Sequence, residues 1–132
     1  MNDTVTIIIT ILLFAVMEAA WLWFSRPFYA GQFANFAKDG KLEIRCKTAV
    51  ALVYPLMILG FWVLVLKENS KDKANIGKAF IRGAVFGATV YGVYNLTNKA
   101  TLPGYSWKMT AVDTAWGATV FGVASLLHAW MV

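Results

Sequence analysis

The chain has 132 residues, of which 59% are hydrophobic and only 14% charged, against roughly 25% charge in soluble domains. The apolar residues lie in blocks, which excludes an ordinary soluble core and leaves no separate catalytic domain within this length. The net charge of +5 does not point to nucleic acid, because nearly all twelve Lys and Arg residues fall in loops or at helix ends, where they meet lipid phosphates or snorkel.

A membrane span reads as about 20 mostly apolar residues, enough to cross roughly 30 Å of hydrocarbon. Four stretches qualify: 5–24, 48–66, 79–98 and 109–132. The first carries one charge, Glu18. No basic segment precedes it, its apolar run exceeds a signal-peptide core, and Arg26-Pro27 follow where a cleavage site would fall. It is therefore expected to be a retained helix. In the loop that follows, Tyr29, Phe33 and Phe36 recur at i, i+4 and i+7 with Phe28 beside them. That spacing predicts a short interfacial helix with an aromatic face, ended by a turn at Asp39-Gly40-Lys41. Cys46, between Arg45 and Lys47, is the single cysteine and has no internal disulfide partner; acylation at this membrane edge is a weak alternative.

The second span has no charge, and Pro55 inside it should bend it by removing a backbone hydrogen bond. The loop 67–78, KENSKDKANIGK, reads as a plain solvated connection. The third span carries Arg82 near its start, a G-x-x-x-G pair at Gly83 and Gly87, and a neighbouring small ridge of Ala84, Ala88 and Gly92. The fourth repeats small residues at Ala118, Gly122, Ser125 and Ala129. Such ridges let backbones approach closely, within one chain or across a dimer, and the first use is expected here. The fold class is thus all-α: one domain, 1–132, a multi-pass membrane protein built as a four-helix transmembrane bundle with an interfacial helix between the first two spans.

Four crossings place both termini and the loop 67–78 on one side, A, and the other two loops on side B. Side A has five Lys and Arg residues (Lys67, Lys71, Lys73, Lys78, Arg82). Side B has seven (Arg26, Lys38, Lys41, Arg45, Lys47, Lys99, Lys108). The difference is too small to set orientation.

Glu18 and Asp113 are the residues a lipid-embedded chain carries only for a reason. At about 1.5 Å per residue, both fall on the order of 6–9 Å below side B. The third span brings Tyr91, Tyr94, Asn95, Thr97 and Asn98 to the same end. Glu18-Ala19-Ala20-Trp21 and Asp113-Thr114-Ala115-Trp116 share an acid with a tryptophan three residues later, on the same helix face. Each acid is therefore expected beside its own helix's indole, with Trp21 and Trp116 on opposite sides of the acid layer. Lys99 is the nearest basic candidate. The candidate binding residues are Glu18, Trp21, Tyr91, Tyr94, Asn95, Asn98, Asp113 and Trp116. His128 has no metal-ligand partner in its spacing and reads as interfacial, and Tyr105, Trp107, Trp62 and Trp130 read as aromatic belts.

The run Tyr91-Gly92-Val93-Tyr94-Asn95-Leu96-Thr97-Asn98-Lys99-Ala100-Thr101-Leu102, followed by Val112-Asp113-Thr114-Ala115-Trp116-Gly117, resembles a family of small predicted membrane proteins, domain of unknown function two-one-seven-seven. The resemblance extends to Glu18 and Trp21 late in the first span and covers nearly the whole chain. It implies four helices and membrane residence, without an assigned activity. Asn95 and Glu18 stand where the family pattern is expected to have Asp, so carboxylate chemistry at position 95 is not expected.

The function expected from these residues is a membrane-embedded site near side B for a cation, a proton or a small polar molecule or headgroup. A transporter would need a homodimer or larger complex, since four helices enclose no wide path. The alternative is an accessory or structural subunit whose polar layer only orders the bundle. An enzyme is disfavoured because no nucleophile or metal set accompanies the acids. No cofactor, metal or nucleic-acid partner is implied; the partner is the lipid bilayer.

Overall fold

The computed structural model describes residues 2–37 and 44–132, which are helical with no strand among them. Four long helices follow in order: α1 (Asp3–Phe33), α2 (Lys47–Lys71), α3 (Ile76–Thr101) and α4 (Trp107–Met131). Each begins on a side-chain cap. Asn2 accepts from the Thr4 N–H, Cys46 Sγ from Ala49, Asn75 from Lys78 and Ser106 from Met109. These bonds satisfy backbone donors that a helix start leaves without partners. Cys46 is exposed and serves as the cap of α2. The turn expected at Asp39-Gly40-Lys41 lies outside the described residues.

Three helices, α1, α2 and α4, are long and apolar enough to cross a membrane. The fourth, α3, is 26 residues long but more polar. It runs antiparallel beside α4, from Phe80 against Gly122 at one end to Asn95 bonded to Asp113 at the other, and so shares that helix's depth. The close approach has a cause in the sequence. A Cβ on Gly83 would stand 2.2 Å from the Phe121 carbonyl oxygen, and one on Gly87 would stand 2.0 Å from that of Gly117. The G-x-x-x-G ridge is thus consumed within the chain. In the fourth helix the ridge in contact is Gly117, Phe121 and Ser125, with Ala118 and Ala129 only half-buried. Beside this pair lies α1, and the core closes on Phe14, Phe61 and Phe121, with ring centroids 4.7 Å (Phe14–Phe121) and 4.9 Å (Phe61–Phe121) apart. Val65 and Leu66, in a π-turn spanning Trp62–Leu66 of α2, complete it.

The structure departs from expectation at both ends of the bundle. The aromatic segment at Tyr29 and Phe33 is not a separate interfacial helix; α1 continues through Pro27 to Phe33. Its 31 residues span about 46 Å, so the last turns project beyond the hydrocarbon. Packing of Phe36 on Tyr105 (5.2 Å), and of Tyr29 on Asp113, offsets the hydrogen bond that Pro27 cannot make. On side A, the supposed plain loop starts as helix, with Lys67–Lys71 extending α2.

Candidate functional site

Glu18 is buried on α1, and its carboxylate gathers donors from the other three helices. Tyr91 Oη (2.9 Å) and Trp116 Nε1 (2.8 Å) donate to Oε1, while Tyr54 Oη (3.3 Å) donates to Oε2. Asp113 on α4 accepts from Tyr29 Oη (2.6 Å) at Oδ1 and from Asn95 Nδ2 (2.6 Å) at Oδ2. Tyr29 itself accepts from Trp21 Nε1 (3.1 Å), so its own proton points at Asp113. Asn95, fully buried, is oriented by the Tyr105 hydroxyl, which donates to Oδ1, and by its own bond to the Tyr91 carbonyl (2.8 Å). Tyr105 is carried by a tight loop. Gly104 has φ +80°, and a Cβ there would lie 2.3 Å from the Asn35 carbonyl oxygen, so the loop is pinned to the end of α1. A bond from Ser106 to Gln32 adds a second tie.

The acids lie in one layer, but their tryptophans are exchanged. Trp116, three residues after Asp113, serves Glu18; Trp21, three residues after Glu18, serves Asp113 through Tyr29. The indoles do not flank the layer. They stack on each other, with centroids 4.5 Å apart and planes within 7°. In antiparallel helices the residue one turn after each acid runs toward the other helix's acid, so an offset of as little as about one turn (~5 Å) is enough to exchange the partners.

The layer forms one wall of a cavity of about 1030 Å³ bounded by all four helices. Glu18, Trp21, Tyr91, Tyr94, Asp113 and Trp116 line it, with Arg26 and Trp23 from α1 and Val53, Tyr54, Leu56 and Met57 from α2. Every residue from 44 to 56 is exposed, so no face of this half of α2 packs closely on another helix. Among the described residues, Tyr54 is the side chain of this half that reaches Glu18 with a hydrogen bond. The cavity is therefore left uncovered, among the described residues, along the first half of α2, a helix long and apolar enough to cross a membrane.

The family model described as predicted membrane protein (DUF2177) matches residues 4–130, nearly the whole chain and every residue of the acid layer. The chain belongs to this family. No curated protein and no solved structure matches it. Membership makes the chain an integral membrane protein, multi-pass by its three long apolar helices.

Not every expected residue of this DUF2177 protein reaches the acids. Tyr94 lines the cavity but is 59% exposed, and Asn98 sits beside the Tyr105 hydroxyl. Lys99 does not pair with Asp113; its Nζ lies 5.4 Å from the Trp107 ring centroid. Among the described residues, the salt bridges involve only Asp72, with Lys78 and Arg82. The hydrogen bond from Arg82, then that from Lys78, hold the Asp72 carboxyl well below the usual carboxylate range. Sequence reasoning missed three tyrosines. Tyr105 is buried rather than part of a belt, Tyr29 is a ligand of Asp113, and Tyr54 was the only hydroxyl in the interior of an uncharged span.

Side A is not plain either. Asn69, in the supposed solvated loop, is buried, donates to Ser125 Oγ (2.8 Å) and accepts from Arg82 (3.2 Å). His128 is fully buried rather than interfacial, and among the described residues neither ring nitrogen has a hydrogen-bond partner. No group of three His, Cys, Asp or Glu that could hold a metal comes together among the described residues.

Proposed function

We propose that the chain binds an amphiphilic organic cation from the membrane, with its charged head at Asp113 and Glu18 and its apolar body along the cavity. One observation carries this reading. Two carboxylates border a large apolar cavity, and among the described residues neither has a cationic partner. Five neutral donors soften the cost of placing carboxylates at this depth, and none of the five brings a positive charge. Stacked indoles and tyrosine rings beside the acids offer π faces to the same cation.

Dodecylamine binding to the protein in phosphatidylcholine nanodiscs, followed by tryptophan fluorescence, tests the proposal. Saturable binding is expected, weakened about 10- to 100-fold by Asp113→Asn, the loss of one charge-assisted contact of roughly 1.5–3 kcal/mol. Dodecanol should not saturate. Glu18→Gln gives a second reading if Asp113→Asn loosens the fold. Partitioning no different from empty discs would sink the idea.

One observation favours the rival, in which the layer only orders the bundle: all four carboxylate oxygens already accept a hydrogen bond. On that reading Asp113→Asn lowers stability and no amine binds.

A further inference from the structure

We infer that the ligand is zwitterionic, an aminophospholipid whose amine meets the acids and whose phosphate meets Arg26. The inference rests on the cation-binding reading above and names the ligand's second charge. Arg26 lines the same cavity as Glu18 and Asp113. Among the described residues it has no carboxylate partner; its guanidinium lies on the Trp23 ring, 3.9 Å from the centroid. Side chains on a helix lean toward its N-terminus, which for α1 is deeper into the membrane. The guanidinium is thus drawn down one turn to the level of Trp23. Trp23 stands five residues beyond Glu18 along α1, about 7–8 Å of rise, and well round the helix from it, so the guanidinium and the carboxylate are farther apart than that rise. A phosphate and an extended amine two carbons away, with a hydrogen bond at each end, reach across a separation of that order. Guanidinium recognises phosphate with paired, charge-assisted hydrogen bonds. The chains of such a lipid need an apolar exit at hydrocarbon depth, and the exposed half of α2 leaves one. A free headgroup would gain nothing from those apolar walls, so the source is the membrane.

The test compares lysophosphatidylethanolamine, dodecylamine and lysophosphatidylglycerol on wild type, Arg26→Gln and Arg26→Lys in phosphatidylcholine nanodiscs. Arg26 is exposed, so its replacement leaves the core intact. Wild type should bind the zwitterion about tenfold or more tighter than the amine. Arg26→Gln should erase that advantage without weakening dodecylamine, whose ammonium then meets no like charge in the cavity, and Arg26→Lys should restore part of it. Lysophosphatidylglycerol should not bind saturably, and free phosphoethanolamine at millimolar concentration should not compete. Equal affinity for zwitterion and amine, or no effect of Arg26→Gln, overturns this inference alone. Loss of dodecylamine binding to wild type as well overturns the cation site beneath it.

Discussion

Replacing Glu18 with leucine is expected to destabilise the bundle by about 3 kcal/mol, measured as reversible unfolding in mixed micelles. The side chain is 6% exposed, and its carboxylate is where donors from α2, α3 and α4 converge. Leucine fills a similar volume but strands the Trp116 N–H and the Tyr91 hydroxyl, each costing about 1–3 kcal/mol unpaired. The Tyr54 bond, at 3.3 Å and half-exposed, adds little. Part of the loss is recovered because an anion no longer has to be held in a dry layer. Glu18→Gln keeps an acceptor oxygen and should cost about 1 kcal/mol. Leucine as stable as glutamate would mean that the network contributes no net stability.

Gly87→Ala is expected to cost about 3 kcal/mol or more, because the new methyl would sit 2.0 Å from the Gly117 carbonyl oxygen. Backbone cannot yield as a flexible side chain does, so α3 and α4 must separate. Gly83→Ala, at 2.2 Å from the Phe121 carbonyl oxygen, should behave alike. Two other glycines are the controls. Gly92 belongs to the neighbouring ridge, yet its added Cβ would meet only Thr114 Cγ2 at 3.6 Å, an ordinary contact. Gly31 has nothing within 4 Å, and alanine there should gain about 0.5–1 kcal/mol of helix preference. The contrast between Gly87 and Gly92 in detergent melting is the readout; equal effects would contradict the packing. Separation of the pair would also draw Tyr91 and Asn95 from the acids.

The acids were legible because charge in a lipid-embedded span needs an explanation, and Tyr91, Asn95 and Trp116 followed from depth and helical spacing. Their pairing was not legible. Which indole faces which carboxylate depends on the stagger of two antiparallel helices, and a shift of one turn exchanges the partners. Tyr105 was hidden because tyrosine near a membrane edge ordinarily reads as interfacial, and Tyr54 because its partner lies 36 residues away, beyond any local pattern. The first span read as ending at Phe24, where the apolar run gives way to Ser25-Arg26-Pro27. Aromatic packing across the chain, which no local pattern records, carried α1 past it. Similarly, His128 and Asn69 looked superficial because they lie close to span ends. Their burial is set by the side-A closure of the bundle, where α2, α3 and α4 meet.

Whether the cavity beside Glu18 and Asp113 receives a membrane-borne cation is decided by an experimental structure in lipid with dodecylamine present. The expected result is an amine nitrogen within hydrogen-bond distance of Asp113, with its chain along Tyr54 and Met57. A cavity closed by α2, or one holding only an apolar tail with the carboxylates still confined to their tyrosine, asparagine and tryptophan donors, would contradict it.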